Sequence, residues 1–161
     1  MKVWRLPAEV DADQLAPSHA MPYGLTMVAR HCLEMLRPNF ARDVRPGDVI
    51  VAGPHFGVGA SREEAASVLV RLGVAAVIAP SFNGLYFRNA CNMGLLALTC
   101  PQAALLNEGE AVACDARHAR IMRADGSLLA TEPIPGFLLD RIEAGGLLPQ
   151  FRKRLEEEAH R

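Results

Sequence analysis

Residues 48–79 read DVIVAGPHFGVGASREEAASVLVRLGVAAVIA, and their pattern sets the fold class. Asp48–Ala52 is a short β-branched run bounded by Gly47 and Gly53, the signature of a buried strand. Ser61 to Leu72 then carries a helix-start signal. Ser61 stands in a capping position, Glu64 follows three residues later, and Ala65, Val68, Leu69 and Leu72 form one apolar stripe. Gly73 falls just past the expected helix end. Val74–Ala79 is apolar throughout, as a strand covered on both faces requires. Strand, glycine-rich loop, helix and strand make a βαβ unit, with parallel strands and a right-handed crossover.

Working outward, Leu25, Val28, Ala29, Cys32 and Leu36 recur at helical spacing, so a helix is expected over Leu25–Leu36, stopped by Pro38. Residues 1–22 read as irregular because Pro7, Pro17 and Pro22 interrupt them. With few apolar anchors, the segment from Asp11 to Tyr23 is expected to be mobile. A helix follows Ser81 and runs to Met93, ended by Gly94, and Leu95–Thr99 reads as a strand. Further on, Ala111–Asp115 and Ala119–Arg123 read as strands, and Asp125-Gly126 before Leu128–Thr131 signals a hairpin. Short helices are expected over Phe137–Ala144, broken by Gly145-Gly146, and over Phe151–Arg161. The pattern describes one α/β domain over residues 1–161, with a mixed sheet and no internal linker.

Composition narrows the function classes. The chain has 161 residues, half of them apolar and 22% charged, and a net charge of −1. A chain of this size buries roughly two thirds of its unfolded surface and needs no staple. With no basic excess, nucleic acid and anionic membrane are poor partners. No apolar run approaches the roughly 18–20 residues of a membrane span, so a cytoplasmic protein is expected. Cys32, Cys91, Cys100 and Cys114 include no C-x-x-C pair, and His19, His31, His55, His118 and His160 complete no zinc pattern in linear spacing. The cysteines read as free core thiols, and no metal is expected on this chain.

The chemistry concentrates in Gly53–Glu63. Glycines allow close backbone approach, and a helix starting near Ser61 aims free N–H groups back at the loop, which suits an anion. Arg62 adds a planar charged fork that fits a carboxylate or phosphate. A Walker A loop would need Gly-Lys-Ser/Thr where Gly59-Ala60-Ser61-Arg62 stands. A dinucleotide fingerprint would need a third glycine at Arg62 and an acid where Ala79-Pro80 ends the next strand. Two readings remain: a carboxylate site, or a tight turn carrying a solvated arginine. Asp13, in Asp11-Ala12-Asp13-Gln14, either orients a catalytic group or pairs with an arginine, or else belongs to a solvated Asx turn. His19 and His55 are candidate catalytic groups, although loop histidines are commonly surface or capping residues.

Six ordered motifs now add a family resemblance: Asp11-Ala-Asp13-Gln14; Pro46-Gly-Asp-Val-Ile-Val-Ala-Gly53; Phe56-Gly-Val-Gly-Ala-Ser-Arg-Glu63; Val77-Ile-Ala-Pro-Ser-Phe82; Phe87-Arg-Asn-Ala-Cys-Asn-Met-Gly-Leu-Leu96; and Gly145-Gly-Leu147. Over about Val10 to Leu155 the chain resembles the small subunit of 3-isopropylmalate dehydratase, equivalent to the swivelling domain of aconitase. The resemblance implies a three-layer β/β/α swivelling domain that closes over a separate large subunit. That partner carries a 4Fe–4S cluster on three cysteines, and this chain binds no cofactor. It also implies dehydration and rehydration of a small hydroxy dicarboxylic acid, as in leucine biosynthesis. Within it Arg62 grips a substrate carboxylate, Ser61 contributes hydrogen bonds, and Asp13 belongs to the same site, with Gly59 and Ala60 in the binding loop.

Two positions depart from the family pattern. The usual loop reads Gly-Ser-Ser-Arg-Glu and its first serine is the proton-abstracting base, whereas this chain has Ala60. After Gln14 relatives carry an Arg-Tyr-Leu-like stretch, and here Ser18-His19-Ala20-Met21 stands. An isopropyl-specific pocket is therefore not supported, and His19 and Met21 line a pocket for another side chain. Two functions follow: an active hydro-lyase subunit with a relocated base, or a non-catalytic carboxylate-binding swivel module.

Overall fold

The computed structural model describes residues 1–7, 9–59 and 62–161. Four strands, β1 (Val3–Arg5), β2 (Val49–Val51), β3 (Ala76–Ala79) and β4 (Leu96–Thr99), lie side by side in chain order, every pair parallel. The register places Val3, Val49, Ala76 and Leu96 in one row and Trp4, Ile50, Val77 and Ala97 in the next. Successive rows face opposite ways. Both rows are apolar, so both faces of the sheet are covered.

The Trp4–Ile50–Val77–Ala97 face packs beneath the helices. These are α1 (Ala12–Leu15), α2 (Leu25–Arg30), α3 (Phe40–Asp43), α4 (Glu64–Arg71) and α5 (Gly84–Met93). The opposite face, with Val3, Val49, Val51, Ala76, Ile78 and Leu98, packs against Val112, Ile121 and Leu129. Those three come from an antiparallel sheet of β5 (Val112–Asp115), β6 (Arg120–Arg123) and β7 (Leu128–Ala130). The layers therefore run β, β, α. Strands of both senses are present, but they separate into two sheets, joined where Lys2 pairs antiparallel with Ala111. Helices α6 (Gly136–Glu143) and α7 (Leu147–Ala159) complete the chain.

Several boundaries differ from expectation for identifiable reasons. Helix α2 stops at Arg30, and residues 31–36 form turns, because Leu33 takes a left-handed backbone (φ 58°) and donates its N–H to Gln14 O at 2.8 Å. Its side chain is fully buried, so tertiary packing overrides the helical periodicity. Residues 1–22 are not irregular: they contain β1 and α1. Val10, Ala12, Leu15, Ala16 and Ala20 are all buried, so the segment has the apolar anchors that the sequence reading denied it. Strand β6 begins one residue late because Ala119 is left-handed (φ 51°). Helix α7 begins at Leu147, four residues early, since Pro149 falls within its first turn, where a missing N–H costs no helical bond. The hairpin at Asp125-Gly126 forms as expected, with Gly126 at φ 85° and Asp125 Oδ1 accepting from Ser127 N at 2.8 Å.

Candidate active site

The glycine-rich loop after β2 is held from two sides. On one, Gly57 N donates to Val10 O and Ala12 N donates to Val58 O, both at 2.8 Å. On the other, Phe56 N donates to Ser81 O at 3.1 Å, Asn83 N to Phe56 O at 2.9 Å, and His55 N to Ser81 Oγ at 2.8 Å. Beneath it lies an aromatic wedge in which Phe56 meets Tyr86 and Phe82 edge-on at 5.2 and 5.8 Å. The Tyr86 hydroxyl donates to Ala65 O at 3.1 Å, tying the wedge to α4. Gly57 closes this arrangement: it sits at φ 82°, and a Cβ there would lie 2.2 Å from Tyr86 Cγ.

The pairing with Val10–Ala12 delivers α1 to the loop. Asp11 caps α1 in a reciprocal box, accepting from Gln14 N at 2.7 Å while Gln14 Oε1 accepts from Asp11 N at 2.9 Å. With the helix start fixed, Asp13 projects toward Arg62. Arg62 Nη1 donates to Asp13 Oδ1 at 3.0 Å and to Ala16 O at 2.9 Å. Asp13 Oδ1 also accepts from Ser18 N at 3.0 Å. Thus Asp13 pairs with an arginine, and the solvated Asx turn is not what forms.

The Arg62 side chain is 24% exposed and that of Asp13 is 61% exposed, so the pair stands at a solvent-facing surface. Among the described residues, Arg62 reaches its acceptors, Asp13 and the Ala16 carbonyl, through Nη1. The expected helix start moves from Ser61 to Glu64, preceded by a turn in which Ala65 N donates to Arg62 O at 3.2 Å. Ala60 and Ser61 lie outside the described residues. Gly59 is exposed at φ 106°, beside Asp11 and Ala12.

The Arg62 hydrogen bond, with that from Ser18 N, holds the Asp13 carboxyl below the usual carboxylate range. The folded state therefore binds this proton less readily than the unfolded chain. The pair's contribution is present above the unfolded value of about 3.9 and is lost as pH falls through the lower folded value. Asp13→Asn is thus expected to melt below wild type at pH 7. The gap should close as the buffer falls below about pH 4, a comparison made by thermal unfolding across pH.

The other candidates occupy different places. Met21 lines a cleft of about 270 Å³ with Gly24, Leu25 and Val28 on one wall and Glu63, Glu64 and Ser67 on the other. His19 turns its ring outward, with Nε2 3.4 Å from Glu34 Oε1 and an edge-on contact to His31. His55 is exposed and left-handed (φ 58°), and only its backbone joins the loop scaffold. A larger cleft, about 510 Å³ between α6 and α7, is lined by Asp140, Glu143, Lys153 and Arg154 and contains none of the site residues. The sequence reading overlooked the Ala16 carbonyl and Ser18 N–H. No side-chain pattern marks a backbone acceptor, although Asp11-x-x-Gln14 is a capping-box signal that would have placed α1.

Cys32, Cys91 and Cys100 are buried, and burial raises all four thiols, pushing Cys114 up to about 11. Among the described residues, no helix is long and apolar enough to cross a membrane.

Comparison with known proteins agrees with this geometry. The aconitase C-terminal domain family matches residues 37–103. The methanogen homoaconitase small subunit of Methanothermobacter thermautotrophicus is 38% identical, over 96% of this chain and 91% of its own length. The 3-isopropylmalate dehydratase small subunit of Nautilia profundicola is also 38% identical, over 97% and 95%. A crystal structure of 3-isopropylmalate dehydratase (leuD) from Methanocaldococcus jannaschii superposes with a TM-score of 0.90 at 30% identity, covering 99% of this chain and 96% of that one. With 30–38% identity and near end-to-end coverage of these relatives, the chain belongs to the family of 3-isopropylmalate dehydratase-type small subunits in the aconitase superfamily.

Proposed function

We propose that this chain is a single swivelling domain, the small subunit of a heteromeric hydro-lyase acting on a small hydroxy dicarboxylic acid. The observation that carries the reading is Arg62, held through Nη1 by Asp13 and the Ala16 carbonyl at the end of the glycine loop. A large subunit supplies the 4Fe–4S cluster and its Lewis acidity at the leaving hydroxyl. This chain supplies the grip on a carboxylate: Arg62 binds it and Asp13 fixes the guanidinium plane, with Gly59, Ala60 and Ser61 as the further substrate-binding positions. Met21 and the turn through His19 border the substrate's side chain. The apolar wall of Met21, Leu25 and Val28 accommodates an alkyl group, while Glu63 and Glu64 opposite repel a third carboxylate. In net terms the substrate loses a proton from one carbon and hydroxide from its neighbour, leaving the unsaturated diacid and water.

Ala60 favours a second reading, a swivel module that binds a carboxylate without turnover, because a methyl group accepts no proton. Ala60→Ser separates the two when assayed with the large subunit. A wild-type complex that turns over, and that Ala60→Ser leaves unchanged or impairs, supports a relocated base, with Ser61 or a large-subunit group in that role. Activity that appears only in Ala60→Ser supports the binding module. The hydro-lyase reading expects the first outcome.

A further inference from the structure

The turn over residues 17–20 brings His19 against His31 and Glu34, an i,i+3 pair in the turns after α2. Atoms of His19, His31 and Glu34 lie within 4.8 Å of one another. Glu34 sits between the rings, its Oε2 2.6 Å from His31 Nδ1 and its Oε1 3.4 Å from His19 Nε2. The two rings meet edge-on at 5.1 Å. We propose that His19, His31 and Glu34 form a divalent transition-metal site, matched to zinc, that pins the turn after α1 to the turn after α2.

Four observations carry the site. The donor set is two imidazoles and one carboxylate, a borderline nitrogen–oxygen set that suits zinc and its neighbours rather than magnesium or calcium. Zinc bonds of roughly 2.0–2.2 Å in tetrahedral geometry put ligand atoms about 3.3 Å apart. The His19–Glu34 spacing of 3.4 Å already meets this, and an ion would replace the 2.6 Å His31–Glu34 hydrogen bond. The side chains are 62%, 35% and 31% exposed for His19, His31 and Glu34, so an ion has access and water can complete its coordination. Finally, the backbone presenting His31 and Glu34 is built rather than incidental. Leu33 between them is buried and left-handed, its N–H donates to Gln14 O, and its carbonyl accepts from Leu36 N and Arg37 N. Cys32, although adjacent in sequence, is buried in the core and is not a ligand.

The site is coupled to the Arg62 region through α1. Ser18, which precedes His19, donates to Asp13, and Leu33 donates to Gln14. A bound ion therefore cross-links both arms of the cluster around the helix that carries Asp13, restraining the segment that also bears Met21. The metal proposal does not rest on the hydro-lyase reading, since it concerns binding by this chain alone.

The test is equilibrium dialysis of the metal-stripped full chain against zinc chloride, repeated with His19→Ala, His31→Ala and Glu34→Gln, with circular dichroism confirming that each variant is folded. The expected result is one zinc per chain, unaffected by excess magnesium, with affinity at least about tenfold weaker in every variant. Cobalt should give a ligand-field spectrum without thiolate charge-transfer bands. Amide exchange over residues 17–23 should slow on adding zinc to wild type and not to Glu34→Gln. Absence of stoichiometric binding, equal binding in folded variants, a thiolate cobalt spectrum, or unchanged exchange in zinc-loaded wild type would overturn the proposal.

Discussion

Arg62→Ala is expected to lower kcat/KM of the reconstituted complex by about 100-fold while leaving the melting temperature of the isolated chain within a few degrees of wild type. A charge-assisted hydrogen bond contributes about 1.5–3 kcal/mol, which corresponds to roughly 10- to 150-fold. The structural pair with Asp13 is solvent-facing, and such pairs contribute about 0–1 kcal/mol. Function and stability therefore separate at this position. Arg62→Lys sharpens the case. An ammonium keeps the charge, but it lacks the planar guanidinium that donates to Asp13 and Ala16 and that, in the proposed reading, also takes a carboxylate. A loss of about 10-fold or more is expected for Lys, read chiefly in KM if the contact is made equally to substrate and transition state. Wild-type kinetics in both variants would remove Arg62 from the site.

Gly57→Ala should be among the most damaging substitutions in the chain, and its damage should be structural. The added Cβ meets Tyr86 Cγ at 2.2 Å, and the ring cannot retreat because it is buried and its hydroxyl is tied to Ala65 O. Overpacking of this kind costs about 1–3 kcal/mol, and a left-handed backbone adds about 1–2 kcal/mol for an L side chain. For a chain of this length each kcal/mol moves the melting temperature by about 2–4 °C, so a fall on the order of 10 °C is expected by calorimetry. The double variant Gly57→Ala/Tyr86→Leu should not recover the loss, because the Tyr86 Cβ and Cγ that the new methyl meets are atoms leucine keeps. A melting temperature unchanged by Gly57→Ala would mean that the loop does not close over Tyr86 as described.

Sequence made the parallel βαβ core legible because both of its signals are local. Apolar runs such as Val74–Ala79 and stripes such as Ala65–Leu72 carry their own period, and the strands and α4 lie close to where those runs predict. What stayed hidden was set by distant partners. Leu33 abandons the helix because Gln14 offers a carbonyl, and Val10–Ala12 becomes ordered because the glycine loop pairs with it. The division into two sheets depends on which strand faces pack together, which alternation alone does not reveal. Arg62 and Asp13 were both singled out from the sequence, but their contact, and the backbone groups that complete it, needed the loop pairing to bring α1 into place. His19, His31 and Glu34 were invisible as a cluster for the same reason.

The most direct test of the account is turnover. The chain is combined with the cluster-bearing subunit encoded nearest to it, the cluster is rebuilt without oxygen, and ultraviolet absorbance of the unsaturated diacid is followed over citramalate, isopropylmalate and dimethylmalate. The account predicts Arg62-dependent dehydration of at least one of these alkyl-substituted hydroxy diacids. A stable complex with an intact cluster that leaves all of them unchanged would contradict it.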